Sequence, residues 1–455
     1  MKKLSAIVLI LVLFSTILAA CGAGDNAASE DKITIKIYYP TPDKVELRAI
    51  EDDKIARFEA AYPNVEVVRD EWQYNVDQIG IKMAANEAPT FFNTFATEAK
   101  FLVDSGWAAD ITDLWNKYEY KDQINPVLQK QFMIDGKVYG VAQKGYVTTT
   151  IVNKKMLEDK GVPVPSYDWT WDDMLKTAKV VADPSAGIAG IAPMGKGNDA
   201  GWNWTNFLFE AGGDIQKVEN GKVTATFNSE AGLRALDFYR QLKDENTIPQ
   251  DWALGWGDAV GAFAQGRAAM VIAGAEGPLD QALNQGGMKP EDVLTFPMPA
   301  AETGGKHTGV LGGDYLVINP NATPAEQEAA FNYIVFDYFS DEGLASLEEN
   351  IKQFQKDGKY YVPPHMDYYT VDSEYGKKVR AVLDKYDNVY KYNAESNALL
   401  DGKPEAQFNT QDYYATMTTA IQKVFTGDSN DLKAILDEAA QTVQKDFFDK
   451  IEAKK

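Results

Sequence analysis

The sequence predicts an α/β fold organised in two domains, and three observations predict it. A strand-like run, a helix-like run and a second strand-like run follow one another within residues 33–68, and the same alternation recurs further along the chain. The 455 residues also exceed what one hydrophobic core ordinarily serves.

In chain order, Met1, Lys2 and Lys3 precede an uncharged apolar stretch over residues 4–17, which ends at Leu18, Ala19, Ala20 and Cys21. A charged start, a short apolar segment and small residues at its end read as a signal peptide over residues 1–20, since the run is too short for a permanent span. Cys21 is the single cysteine of the chain. A secreted protein gains from cysteines by pairing them, so one cysteine at the cleavage junction needs another role. The run Leu18-Ala19-Ala20-Cys21 resembles the lipobox of bacterial lipoproteins, which implies that Cys21 is lipidated and becomes the new N-terminus. Two acyl chains suffice for stable anchoring. Residues 22–31 are small and polar with nothing to bury, so residues 21–32 read as a lipid-anchored flexible tether.

Residues 33–39 alternate apolar and polar side chains up to Pro40 and Pro42, which predicts a strand. Apolar residues at Val45, Ile50, Ile55, Phe58 and Tyr62 fall near helical spacing, and Pro63-Asn64 ends that helix before a β-rich run over 65–68. A helix over 76–86, a strand over 90–94 and a helix over 98–104 follow. Residues 137–140 and the β-branched run 147–152 read as strands, and a helix begins near Lys154. Thr170 with Asp173 three residues on is a capping-box pattern that opens a helix through Val181, which assigns the nearby acids to a helix start rather than to catalysis. A helix over 229–243, strands over 268–273 and 315–318, and a helix-rich C-terminal third complete the reading. Gly304-Gly305 and Gly312-Gly313 lack phosphate-loop spacing and read as turns. No repeat is found, and no run after the signal peptide is long and apolar enough for a membrane helix.

The formal net charge is −22, and loss of Lys2 and Lys3 makes it more negative, which excludes nucleic acid as a partner. Two histidines, His307 and His365, and no thiol besides Cys21 leave little material for a metal site, a Cys-His pair or a serine triad, so neither metal nor cofactor is expected. His365, which follows Pro363-Pro364, reads as a loop residue.

Several segments together resemble one known family, the sugar-binding (family 1, maltodextrin-binding-like) solute-binding proteins of bacterial ABC transporters. They are residues 58–67, with Tyr62-Pro63-Asn64 at the turn; Asp110 to Leu114; Asp135 to Gly140; Asn153-Lys154; Trp169-Thr170-Trp171; Phe263 to Met270; and Gly312-Gly313 before a strand. Their order and spacing carry the resemblance. It implies a two-lobed periplasmic-binding-protein-like fold of type II, with the chain crossing more than once between lobes and ligand bound in the cleft. The implied N-terminal lobe is residues 33–145 plus 312–340, and the C-terminal lobe 146–311 plus 341–455. It implies a monomeric, non-enzymatic, extracytoplasmic protein, held on the cell membrane only by its lipid anchor, which closes on a carbohydrate and delivers it to permease subunits.

A pyranose has apolar faces and a rim of hydroxyls, so its site needs flat rings and polar side chains, and the chain has 9 tryptophans and 23 tyrosines. Ligands of open α/β sheets bind beyond the ends of parallel strands. With the resemblance, this points to Tyr39, Trp72, Tyr74, Asn93 and Thr94 in the first lobe, and to Tyr146 near the crossover. Trp202, Trp204, Trp256, Glu276 and Tyr413 follow in the second lobe, and Asp314 after Gly312-Gly313. Where the family commonly shows Pro-Asp the chain has Pro89-Thr90, and where many members have Tyr-Asn it has Val152-Asn153, so the identity of the sugar is left open. Two alternatives stand beside this reading. One is a lipid-anchored glycoside hydrolase, which needs two carboxylates at fixed separation; the other is the same fold with a non-sugar solute.

Overall fold

The computed structural model describes residues 32–427 and 431–451. The signal peptide, Cys21 and all but the last residue of the tether lie outside the described residues.

Ten strands in two sheets matter for the site and are numbered in chain order. β1 is Ile33–Tyr38, β2 Val65–Asp70, β3 Phe91–Phe95, β4 Val141–Val147, β5 Thr149–Asn153, β6 Met270–Ala273, β7 Val293–Pro297, β8 His307–Ile318, β9 Met366–Asp367 and β10 Leu400–Pro404. The larger sheet runs β9-β4-β8-β3-β1-β2, with β10 pairing the first half of β8. β1 lies parallel to β2 and to β3, whereas β8 is antiparallel to β3 and to β4. The alternation read from residues 33–68 is therefore a β-α-β unit, its helix Val45–Ala61 burying Ile55 and Phe58. The smaller sheet, β6-β5-β7, is antiparallel.

Two cores result. One gathers Ile35, Ile37, Phe58, Phe92, Val141, Leu316 and Ile334, together with their neighbours between residues 35–147 and 311–338. The other gathers Trp169, Met174, Trp204, Phe207, Tyr239, Tyr413 and Ile421, and a smaller cluster around Val271 and Phe263 packs beside the second sheet. The protein is a two-lobed α/β molecule. β4 and β5 are consecutive, so Thr148 marks one passage between lobes; β8 makes a second, with Val310 in one core and Leu311 in the other. The passages are tied together, since the Thr148 backbone N–H donates to the Val310 carbonyl at 2.9 Å. β9 adds an edge strand to the first sheet from a segment that the sequence reading assigns to the second lobe.

Local signals set most element boundaries. Thr170 and Asp173 form the expected capping box, and Ser229 caps a helix over Glu230–Asp244. Two expectations are corrected. The run 147–152 is not one strand, because Thr148 interrupts it at the passage between lobes. Gly312-Gly313 is not a turn but the interior of the long strand β8. The pattern misleads there because glycines normally weaken strands. Here Gly312 lies opposite Tyr146, and an added Cβ would stand 2.4 Å from that tyrosine's hydroxyl, so only a bare backbone leaves room for the ring.

Candidate functional site

Between the lobes lies a cleft of about 530 Å³, within the range of ligand pockets. Its floor is β4. Side chains two apart on a strand share a face, so Lys144 and Tyr146 both look into the cleft. The sheet register then fixes their neighbours: Asp314 of β8 stands opposite Lys144 on one side and Asp367 of β9 on the other.

The second lobe closes the cleft with helix starts. Gly274 and Glu276 follow β6 directly, Glu276 opening the helix Glu276–Asn284; Trp256 opens Trp256–Ala264; Asn198, Asp199 and Trp202 lie in Gly197–Glu210. Glu405 follows β10, and Gln411 and Tyr414 come from Thr410–Thr426. Rings form the apolar walls. Tyr146 and Trp202 meet edge to face, centroids 6.4 Å apart at 83°. The ring of Tyr146 lies over Gly274 and that of Trp256 over Gly277, where an added Cβ would come within 2.8 Å of each. Phe95, 48% exposed, and Trp256, 38% exposed, face the opening from opposite lobes.

Polar contacts cross between the lobes. Lys144 Nζ donates to both Glu276 oxygens, at 2.9 and 3.0 Å, and stands 3.9 Å from Asp314. Gln411 Nε2 donates to the Thr97 hydroxyl at 2.9 Å while its Oε1 accepts from Asn198 at 2.8 Å. Burial opposes the charge on Lys144, but Glu276 and Asp314 outweigh it and hold the ammonium above its ordinary pKa. Burial pushes the Asp314 carboxyl up, against the pull of Lys144. Glu405 is pushed up to about 7 by burial, although the Tyr414 hydroxyl donates to it. Asp199 is raised by burial and steadied by the Trp256 backbone N–H, which donates to it at 2.7 Å. His365 also lines the cleft from a loop, its ring stacked on Tyr392 at 4.7 Å, and burial lowers its pKa.

Of the residues singled out in the sequence, Tyr146, Trp202, Trp256, Glu276 and Asp314 come together here. The others lie elsewhere for reasons of facing. Tyr39 is 2% exposed and points to the helix side of its sheet, donating to Asp52 at 2.9 Å; Tyr38, on the opposite face, senses the charges of Asp314 and Lys144. Trp72 and Tyr74 pack on Phe92, Tyr74 stacking on it at 5.8 Å and donating to Glu98. Asn93 bonds Gln143 at 3.1 Å, and Thr94 is fully buried. Trp204 and Tyr413 are 0% exposed in the second core. Two positions along a helix turn a side chain through about 200°, so Trp204 faces inward when Trp202 faces the cleft. The residues missed include Lys144, Asp199, Glu405, Gln411 and Tyr414. Lys144 was open to discovery from its period-two relation to Tyr146, and Asn198 from its i, i+4 relation to Trp202. No group of three or more potential metal ligands occurs among the described residues, and no helix among them is long and apolar enough to cross a membrane.

Comparisons with known proteins extend the picture. The family model described as bacterial extracellular solute-binding protein matches residues 41–336. Lipoprotein LipO of Bacillus subtilis (strain 168) is 24% identical over 365 residues, covering 75% of this chain and 71% of that protein. An ABC transporter solute-binding protein of Thermotoga lettingae, solved with α-D-tagatose, is 21% identical with a TM-score of 0.71, covering 91% of this chain and 99% of that one. The substrate-binding protein Lmo0181 of Listeria monocytogenes, in complex with cycloalternan, is 19% identical with a TM-score of 0.71 over the same shares. Maltose-bound MalE3 of T. maritima is 18% identical with a TM-score of 0.69, covering 90% and 99%. These structures share the two-lobed fold.

Proposed function

The chain belongs to the bacterial extracellular solute-binding protein family, a binding protein and not an enzyme, and on that premise we propose that it captures a neutral oligosaccharide between its lobes and delivers it to the permease of an ABC importer. The observation that carries the reading is the composition of the cleft. Tyr146, Trp202, Trp256 and Tyr414 offer rings for the apolar faces of a sugar, and Asn198, Gln411, Asp314 and Glu405 offer partners for its hydroxyls. The sugars in the related structures, tagatose, cycloalternan and maltose, support the same class.

In this reading the N-terminal lobe comprises residues 33–145 plus 312–340 and the C-terminal lobe the remainder from 146. Hinge motion at the two passages, around Thr148 and Val310, closes the cleft. The signal peptide is removed, and Cys21 anchors a monomer outside the cytoplasm; the likeness to a lipoprotein supports the anchor. The test is a thermal-shift screen of the purified protein against mono- and oligosaccharides, with the sugar recovered afterwards. A ligand of the folded state raises the melting temperature by mass action. A shift with one sugar class, recovered intact, is the expected result; no shift with any sugar refutes the reading.

A further inference from the structure

The cleft holds its charges unevenly. Four carboxylates line it, from Asp199, Glu276, Asp314 and Glu405, and Lys144 is its one cation among the described residues. That cation is already engaged. Both of its close contacts go to Glu276, and its cross-strand neighbours on either side, Asp314 and Asp367, are acids. The helix starts at Gly197, Trp256, Glu276 and Thr410 are no better placed to receive an anion, because each carries an acid in its first turn, Asp199, Asp258, Glu276 and Asp412.

An incoming carboxylate or phosphate would have to strip Lys144 from Glu276, leaving that carboxylate unpaired, and would then lie beside Asp314 and Glu405. Among the described residues neither of these has a basic partner within hydrogen-bonding distance: Asp314 is 3.9 Å from Lys144, and the Glu405 carboxyl is met by the Tyr414 hydroxyl. Both are acceptors that a sugar hydroxyl satisfies and that a uronate carboxylate repels. We infer that the cleft is a charge filter, admitting uncharged sugars and rejecting anionic ones, with Asp314 and Glu405 as its specificity-determining residues. The inference rests on the carbohydrate reading above and adds what sets its selectivity.

The test is isothermal titration of the full chain at about pH 8, above the raised pKa of Glu405, and at low salt, with matched probes: galactose, glucose and their short oligomers against galacturonate, glucuronate, oligogalacturonate and glucose 6-phosphate. The best neutral probe is expected to bind about tenfold or more tightly than its acidic counterpart. The gap should narrow at least about threefold in the double variant Asp314→Asn with Glu405→Gln. If that variant does not fold, the single variants are compared in the same way. An acidic probe that binds as tightly as its neutral partner overturns the filter and the neutrality of the proposed ligand while leaving carbohydrate capture intact, and a gap unchanged in the variants removes it from these two residues. A protein that binds no probe of either kind overturns both.

Discussion

Replacing Glu405 by glutamine tests the electrostatics of the cleft without a ligand. Burial raises the carboxyl from an ordinary 4.5 to about 7. Between those values the folded chain keeps a proton that the unfolded chain has released, so stability falls as pH rises through the window and levels off above it. At 1.36 kcal/mol per pH unit, the cost from Glu405 is about 1 kcal/mol at pH 5 and about 3 kcal/mol at pH 8. Glutamine is neutral throughout and retains an oxygen to accept from Tyr414. Asp367, raised by burial from 3.8 to about 7, titrates with the same sign, but it is present in both proteins and cancels in the difference. Relative to the parent, Glu405→Gln should therefore gain about 2–3 kcal/mol between pH 5 and pH 8. Urea denaturation followed by tryptophan fluorescence at the two pH values measures it. Parallel stability–pH curves for parent and variant would refute the reasoning, because they would mean that this carboxyl titrates as if it were in water.

Three further outcomes are expected. Trp202→Ala should weaken sugar binding by about 1 kcal/mol or more by titration, and unchanged affinity removes Trp202 from the site. Gly312→Ala should cost about 1–3 kcal/mol in urea denaturation and reduce sugar affinity as well, because the new Cβ falls 2.4 Å from the ring and hydroxyl of Tyr146; full stability would show that the ring has room to move. Lys144→Met removes a pair whose two side chains are each 35% exposed and therefore screened, so a loss of only about 1 kcal/mol is expected. The same variant should be more open without ligand in small-angle X-ray scattering, and its scattering should lose the parent's sensitivity to salt; a profile identical to the parent's means that the pair does not hold the lobes together.

The fold was legible because its signals are local. Alternation over residues 33–39, the stop at Pro63-Asn64 and the capping pair Thr170 and Asp173 each fix an element from within a few residues, and each element appears within a residue or two of its expected place. What failed was long-range. Whether Gly312 bends the chain or lets a neighbouring ring lie flat depends on Tyr146, which is 166 positions away in sequence and directly opposite in the sheet. The break at Thr148 likewise follows from which core each half of the run enters, and no property of residues 147–152 reveals it.

The same distinction explains why only some of the residues singled out in the sequence reach the cleft. Tyr414 for Tyr413 is a substitution of one face of an element for another, and Tyr39 turns to the helix side of its sheet; Trp204, chosen along with Trp202, belongs to the opposite face of the same helix. Facing is readable from sequence only where one side of an element is polar. The helix Gly197–Glu210 buries Asn203, Trp204, Thr205, Asn206 and Phe207 in succession, so its sequence offers no contrast between faces. Thr410–Thr426 likewise buries Tyr413 and Tyr414 together, one bonded to Thr205 in the core and the other to Glu405 at the cleft. Lys144 was harder still. It is an ordinary surface residue by composition, and what places it in the cleft is a contact with Glu276 of the other lobe, 132 positions away, formed only when both lobes are folded and facing each other.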